Sequence, residues 1–195
     1  QHGGGYGSSA FEFEEDILTQ IANKFLTWGW RSKHKNVHPF HSLNLNNHKI
    51  KKTYSNNNNI LICYHFHTKY SYRNSSSPRT NLDRLFKLSQ IKIFSDYLIN
   101  KRDAPITIRY IEKLEKVYNY KFNQSFFNKK VLFDKGEQKM FKCFSKYKLF
   151  VHDMNSTTFL ETLHYNIPTL LILDKRIEIV KNKYKKIFEE MEKYK

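Results

Sequence analysis

The chain opens on Gln1-His2-Gly3-Gly4-Gly5-Tyr6-Gly7, which places an imidazole beside a run of glycines. Because glycine has no side chain, the backbone N–H groups of Gly3, Gly4 and Gly5 can approach an anionic ligand closely. His2 can act as a general base or hydrogen-bond a phosphate, since the ordinary histidine pKa of about 6.5 makes both protonation states accessible. The segment therefore predicts a phosphate site, and a flexible terminus is the alternative.

A second segment with chemical potential runs from His152 to residue 163. Ser156, Thr157 and Thr158 stand where a polar loop enters a predicted helix, and the unpaired N–H groups and positive dipole of a first helical turn favour a phosphate. Glu161 lies about one turn further on and is placed to accept hydrogen bonds from the vicinal hydroxyls of a ribose. The alternative is an ordinary N-cap followed by a surface glutamate.

Other charged and metal-ligating residues are scattered. Arg109 ends a predicted strand and can give a charge-assisted fork to a phosphate or carboxylate, with an ordinary surface charge as the alternative. His65 and His67 alternate at another strand end and share a face, which suits a metal pair or a site wall. No third ligand is in view, and Cys63 and Cys143 lie far apart without a CxxC pair, so we expect no metal and two buried reduced thiols.

The first quarter of the chain predicts a helix, a short strand and a loop. Four apolar residues recur at helical spacing behind an acidic first turn, namely Phe13, Ile17, Ile21 and Phe25. Residues 26–30 predict a short buried strand in which Trp28 and Trp30 share a face, and core packing is favoured over sugar stacking. Residues 31–59 are polar, end in four consecutive asparagines and predict a loop or linker. Its histidines are expected to be solvated.

From residue 60 onward, apolar runs of strand length alternate with helical patterns. The predicted strands are 60–66, 105–110, 130–134, 149–152 and 169–173. The predicted helices are one capped by Asn81 or Asp83 and running to about 100, then 138–146, 158–165 and 177–195. This alternation predicts right-handed β-α-β units and therefore an α/β, Rossmann-like parallel sheet with flanking helices.

The formal charge of +16 over 195 residues is high. Lys, Asn, Ile and Tyr are abundant together, which is typical of compositional drift, and the basic residues are spread over every segment. The charge therefore gives no reason to expect nucleic acid as a partner and is compatible with anionic substrates such as nucleotide diphosphates.

The ends of the chain and its hydropathy give three further expectations. The chain lacks an initiator Met and starts at once on its most chemical segment, so we expect a fragment. No apolar stretch approaches the roughly 20 residues that a membrane-spanning helix needs, and no charged-then-apolar leader is present. A cytoplasmic protein is expected, at the inner face of the membrane if it associates peripherally.

Taken together, the first seven residues, the acidic helix, residues 26–30 and residues 156–169 resemble a family of transferases of surface-carbohydrate biosynthesis. The resemblance covers residues 1 to about 174, although 31–130 match only in the rhythm of strands and helices. More distantly, the layout is similar to that of capsule sialyltransferases and of glycerophosphate polymerases of wall teichoic acid synthesis. Those proteins carry a His-Pro after the position of Arg109, where this chain has Tyr110 and Ile111, so the resemblance gives no second catalytic histidine there.

The resemblance implies the C-terminal part of a GT-B glycosyltransferase, built from two Rossmann-like domains. Residues 1–59 would be an interdomain segment, and 60–195 would be a truncated domain that binds a nucleotide-sugar donor. The positions that it implies for the donor phosphates and ribose are Gly3, Gly4, Gly5, Ser156, Thr157, Thr158 and Glu161. The resemblance also places His2 beside the diphosphate and implies no metal ion or cofactor. We expect His2 to be catalytic, and likewise Arg109, whose charge would stabilise the leaving diphosphate.

The function expected on this basis is glycosyl or glycosyl-phosphate transfer from a nucleotide-activated sugar to a glycan or lipid-linked acceptor. Electrostatic stabilisation of the leaving diphosphate would be the main catalytic contribution. The alternative is a basic domain that binds nucleic acid or an anionic membrane without catalysis, which requires a clustered positive patch. A catalytically silent structural remnant is a third possibility.

Overall fold

The computed structural model describes residues 3–42, 57–65, 80–117 and 121–193. They belong to two compact units. The described part of the first unit is 3–42 with 174–193, and that of the second is 57–65, 80–117 and 121–173. The chain therefore returns to the first unit after completing the second.

The second unit is built on a five-stranded, all-parallel sheet. Its strands are β3 (Ile60–Cys63), β4 (Ile106–Arg109), β5 (Leu132–Asp134), β6 (Leu149–His152) and β7 (Thr169–Leu171), and their spatial order is β5-β4-β3-β6-β7. The predicted α/β, Rossmann-like parallel sheet is therefore confirmed. All five predicted strands are present with shorter bounds, except 149–152, whose bounds are unchanged.

Both faces of the sheet are buried, which explains why its strands lack polar alternation. Ile62, Ile108 and Val151 point to one face and pack in a cluster with Leu88 and Ile91 of helix α2 (Asn81–Arg102). A second cluster covers the opposite face and contains Leu61, Cys63, Met140, Cys143, Phe144 and Phe150. The two cysteines are buried and unpaired with each other, as expected.

Three helices complete the second unit among the described residues: α2, the short α3 (Lys113–Val117) and α4 (Thr157–His164). Helix α2 is capped by Thr80 rather than by the predicted Asn81 or Asp83. The Thr80 hydroxyl accepts from the Asp83 N–H, and the Asp83 carboxylate accepts from the Thr80 N–H, which is a capping box. The predicted helix 138–146 is reduced to a single 3₁₀ turn, Met140–Cys143.

The first unit contains α1 (Phe13–Ile21), a two-stranded parallel sheet of β1 (Phe25–Trp28) and β2 (Val37–Phe40), and α5 (Asn182–Lys193). Its small core holds Tyr6, Phe25 and Val37, with Trp30 packed against them. The expected helix and strand are present, and core packing is the role observed for Trp30.

The prediction that 31–59 form only a loop is wrong, because this range contains β2. Only Val37 of that strand is buried, so it leaves no apolar pattern to detect. The predicted helix 177–195 begins later, at Asn182, because Ile177 and Glu178 first close a turn on the Asp174 carbonyl. On α1 the periodic apolar residues Phe13 and Ile17 are exposed, as is Ile21 at its end.

Candidate functional site

The strand order of the second unit reverses at one place. From β3 the chain adds β4 and β5 on one side, and then crosses to add β6 and β7 on the other. In open α/β sheets, ligands bind beyond the carboxyl ends of the strands at such a reversal. Here Cys63 pairs with His152, so β3 and β6 end level with each other and the residues that follow them meet.

Asp153 and His65 meet at this point, directly after β6 and β3. The Asp153 carboxylate accepts from the backbone N–H of His65 at 3.1 Å, and its other oxygen lies 2.5 Å from His65 Nδ1. Asp153 is 2 % exposed and His65 is 24 % exposed. The buried carboxylate therefore fixes the orientation of the His65 ring, and the other ring nitrogen, Nε2, does not contact this carboxylate.

The freed Nε2 of His65 faces the first turn of α4. It lies 3.3 Å from Thr158 Oγ1, which in turn lies 2.9 Å from Ser156 Oγ. Ser156 is the N-cap of the helix, and its hydroxyl accepts from the Phe159 N–H at 3.3 Å. Ser156 and Thr158 thus form a hydroxyl cluster at the carboxyl edge of the sheet, where it is joined to a histidine–aspartate pair.

Lys87 supports the pair from α2. It is 2 % exposed, and its ammonium donates to the Asp153 backbone carbonyl at 2.5 Å. Arg84, one turn earlier on the same helix, is also buried. Two basic side chains of α2 are therefore buried, and that of Lys87 reaches the loop that carries Asp153.

His152 lies in the strand just before Asp153 and is fully buried. Its Nε2 is 3.2 Å from Thr162 Oγ1, and no described residue hydrogen-bonds its Nδ1. Burial, together with the nearby His65, lowers the pKa of His152 to about 3. His152 is thus a neutral, structural histidine.

Thr157 is the first residue of α4, and Glu161 lies one turn along it. Burial raises the pKa of Glu161. Within the described part of the chain, no side chain or backbone group hydrogen-bonds its carboxylate. Glu161 is therefore a half-buried acceptor on the helix that carries the hydroxyl cluster.

Arg109 ends β4, two strands away from β6, and is 7 % exposed. Its guanidinium donates to Asp134 Oδ2 at 2.5 Å and to the Gln138 carbonyl. Asp134 and Gln138 also line an open cleft of about 370 Å³ beside β5. The structure therefore places Arg109 in an ion pair with a residue that lines this cleft.

The glycine segment belongs to the first unit, and His2 lies outside the described residues. Gly3 and Gly7 adopt positive φ angles, of 122° and 83°. The Gly7 N–H donates to Glu15 Oε2 at 2.6 Å, and Glu15 Oε1 pairs with Lys181 at 2.6 Å. Among the described contacts, no side-chain oxygen accepts a hydrogen bond from the backbone N–H of Gly4 or Gly5. A carboxylate thus occupies one backbone donor of the segment.

His67 also lies outside the described residues, so the suggested pairing with His65 is not addressed. In the part of the chain that the structure describes, no three His, Cys, Asp or Glu side chains come together as metal ligands. Sequence reasoning placed His65 on a site wall or in a metal pair but missed its link to Asp153. Only the strand order, which brings the ends of β3 and β6 together, reveals it.

The parallel sheet and the polar cluster at its reversal define the class: an open, Rossmann-like α/β protein with its candidate site at the carboxyl ends of β3 and β6. The sequence matches the model of the LIC12162 family transferases over residues 1–195, and the chain belongs to that family. The expected transferase class is thereby confirmed. No curated protein and no solved structure gives a significant match.

One further observation concerns hydropathy. Among the described helices, none combines the length and the apolar character that crossing a bilayer requires.

Proposed function

We propose that the chain takes part in glycosyl or glycosyl-phosphate transfer from a nucleotide-activated donor in cell-surface polysaccharide biosynthesis, and that the donor diphosphate binds at the start of α4. The observation that carries this proposal is the linked set Ser156, Thr158, His65 and Asp153 at the strand-order reversal. Membership of a transferase family supports the group-transfer part.

The chemistry of the start of α4 suits a diphosphate. The hydroxyls of Ser156 and Thr158 can donate to phosphate oxygens, and the first-turn N–H groups and helix dipole favour negative charge. Thr157, at the first helical position, adds a third hydroxyl. The buried Lys87, which donates to the Asp153 carbonyl, adds a positive charge on the α2 side of the site. These groups stabilise the charge that develops on a leaving phosphate, so no metal ion or cofactor is needed in the proposed reaction.

Glu161 is the proposed ribose ligand. A nucleotide whose phosphates lie at the first turn of α4 would extend its ribose along the helix, and Glu161 offers an unoccupied carboxylate one turn away. A half-buried carboxylate without a partner is costly unless a ligand supplies donors, which supports this role.

Two further roles are proposed, one for the His2 and glycine segment and one for Arg109. His2 with Gly3, Gly4 and Gly5 stays proposed as a second phosphate-facing segment, where a phosphate would compete with Glu15 for backbone donors. For Arg109, the contacts favour an indirect role in which it holds the β4–β5 edge rather than touching the donor.

The proposed acceptor is a glycan or a lipid-linked sugar, and the proposed location is the cytoplasm, with peripheral association at the inner face of the membrane. Nucleic acid is not a proposed partner, because Lys and Arg are dispersed along the chain rather than clustered.

Calorimetric titration of the full-length protein with UDP, CMP and GDP tests the proposal. We expect one of the three to bind, and the double substitution Ser156→Ala and Thr158→Ala to weaken that binding about tenfold or more, because hydrogen bonds to charged groups are lost. Ser89→Ala is the matched control, since Ser89 is an exposed hydroxyl on α2 that donates to the Leu85 carbonyl of its own helix. Absence of binding by all three nucleotides, or equal affinity in the double variant, would contradict the proposal.

A further inference from the structure

The contacts around His65 determine which atom donates and which accepts in each hydrogen bond. Because Nδ1 lies 2.5 Å from a carboxylate oxygen of Asp153, Nδ1 carries a proton and donates it. In a neutral ring Nε2 then has only a lone pair, so the contact with Thr158 Oγ1 requires the threonine hydroxyl to donate. The single hydroxyl proton of Thr158 is therefore turned inward, toward the histidine.

The same reasoning extends to Ser156. Thr158 Oγ1 already donates its single proton in the hydrogen bond to His65. In the 2.9 Å contact between the two hydroxyls, Ser156 is therefore the donor. Ser156 Oγ itself accepts from the Phe159 N–H. With a neutral His65, every donor in this series of hydrogen bonds, from Ser156 through Thr158 and His65, points its proton toward Asp153. A phosphate at the two hydroxyls would then face oxygen lone pairs instead of protons and would be repelled.

We infer that His65 takes up a proton when phosphate binds at Ser156 and Thr158, and that the imidazolium then reverses the direction of the hydrogen bonds between His65 and the two hydroxyls. The inference rests on the proposed donor site. With a second proton, Nε2 donates to Thr158 Oγ1, and the hydroxyl protons of Thr158 and Ser156 turn outward to the phosphate oxygens. Asp153 stabilises the positive ring, as a buried carboxylate paired with an imidazole does. His65 is therefore a positioning residue that acts through the two hydroxyls.

The proton balance of the transfer follows from this arrangement. The bond between the transferred group and the leaving phosphate oxygen breaks, and its electron pair stays on that oxygen. The acceptor hydroxyl oxygen forms the new bond, and its proton passes to solvent. The proton on His65 came from solvent when the donor bound, and it returns to solvent when the nucleotide product leaves.

Among the described residues, the charged and titratable groups around the ring come from three elements. Asp153 lies in the loop after β6, His152 precedes it in β6, and Cys63 ends β3 within electrostatic range of Asp153. From α2, Lys87 reaches the Asp153 carbonyl, and Arg84 is buried one turn before it. Burial keeps His152 neutral and raises the pKa of Cys63, so neither supplies the proton near neutral pH.

The experiment counts protons. The nucleotide that binds best among UDP, CMP and GDP is titrated into the full-length protein near neutral pH in Pipes and in Tris, whose ionisation heats differ. The difference in observed heat gives the number of protons taken up. We expect up to about one proton per nucleotide for the wild type, and none for His65→Gln, with affinity lowered about ten- to hundredfold.

Two further variants and a spectrum complete the test. Asp153→Asn should also lower the proton uptake, whereas His164→Gln, the same exchange at an exposed histidine of α4, should keep the wild-type value. Two-bond ¹H–¹⁵N correlations should show the ring of His65 protonated on Nδ1 alone in the free protein and on both nitrogens after addition of pyrophosphate. Circular dichroism identifies any variant that fails to fold.

The outcomes separate the inference from the proposed function. Binding that depends on Ser156 and Thr158 without proton uptake, or with equal uptake in His65→Gln, overturns the role of His65 and leaves the donor site standing. Binding that is absent, or indifferent to Ser156 and Thr158, overturns both.

Discussion

Arg109 donates from its guanidinium to Asp134 Oδ2 at 2.5 Å, so an ion pair joins the last residues of β4 and β5 in addition to the backbone ladder. The arginine is buried, and it also donates to the Gln138 carbonyl. Asp134 further accepts from the Gly136 N–H at 2.9 Å. The pair therefore organises the loop that follows β5.

The first prediction is that Arg109→Met destabilises the fold. Loss of the guanidinium removes the charged donor of the Asp134 carboxylate and the side-chain donor to the Gln138 carbonyl, while the Gly136 N–H still donates to Asp134. Because the Asp134 side chain is 26 % exposed, we expect a cost of about 2 kcal/mol, less than for a fully buried pair. Urea denaturation measures the change. Lys130→Met is the control, because Lys130 pairs with Asp103 at 3.4 Å on the exposed surface, and it should change the free energy of unfolding by less than about 0.5 kcal/mol. Unchanged stability with abolished nucleotide binding would instead favour direct contact between Arg109 and the donor.

The second prediction concerns acid. Burial first, and then the nearby His65, lowers the pKa of His152 to about 3 in the folded state, whereas an unfolded chain has a histidine pKa of about 6.5. The unfolded state therefore binds this proton first as the pH falls. The contribution of His152 to stability is complete above about pH 6.5 and is lost by about 1.4 kcal/mol per pH unit toward pH 3.

His152→Gln removes this titration. Between pH 6.5 and 4, the free energy of unfolding of the variant should fall less steeply with pH than that of the wild type. The two slopes should differ by about 1.4 kcal/mol per pH unit, which corresponds to one proton. His164→Gln makes the same exchange at an exposed position and controls for the residue type. Equal slopes for wild type and His152→Gln would show that the buried ring does not resist protonation.

The five strands of the sheet could be predicted because each contains a short, mainly apolar run, and β3 at the centre, Ile60–Cys63, is buried on both faces. The strand β2 could not, because only Val37 of its four residues is buried. Helix α1 was predicted from its apolar repeat, yet the residues that it buries are Glu15 and Thr19. Glu15 is held there by the Gly7 N–H, outside the helix, and by Lys181, which is 166 residues away in sequence.

The candidate site was predictable in part for a similar reason. Ser156, Thr157 and Thr158 precede a helix, which is a local pattern that a sequence displays. His65 and Asp153 are 88 residues apart, and they meet only because β6 returns to the side of β3 opposite β4. An alternation of strands and helices predicts parallel pairing but leaves strand order open, so this contact had no signal in the sequence.

The third prediction compares two glycines of the first unit. Both have positive φ angles, 83° at Gly7 and 94° at Gly29, but an added Cβ at Gly7 would lie 2.6 Å from the Trp30 ring, whereas at Gly29 it would meet nothing within 4 Å. Gly29→Ala should cost about 1 kcal/mol for the backbone alone. Gly7→Ala should cost at least about 1 kcal/mol more, because Trp30 must shift within its core. Thermal unfolding of the two variants measures the difference, and equal costs would mean that Trp30 moves freely.

The fourth prediction tests the ribose contact through Glu161. If the carboxylate accepts from ribose hydroxyls, Glu161→Gln should weaken nucleotide binding about tenfold, since hydrogen bonds to a charged acceptor are lost. The same substitution should have little effect on the affinity for the 2′,3′-dideoxy form of that nucleotide, which lacks both hydroxyls. Because burial raises the pKa of Glu161, the wild-type preference for the ribose form should also decline as the pH falls and the carboxylate is protonated. Calorimetric titrations of both proteins with both ligands give the coupling energy, and a coupling of zero would place the ribose elsewhere.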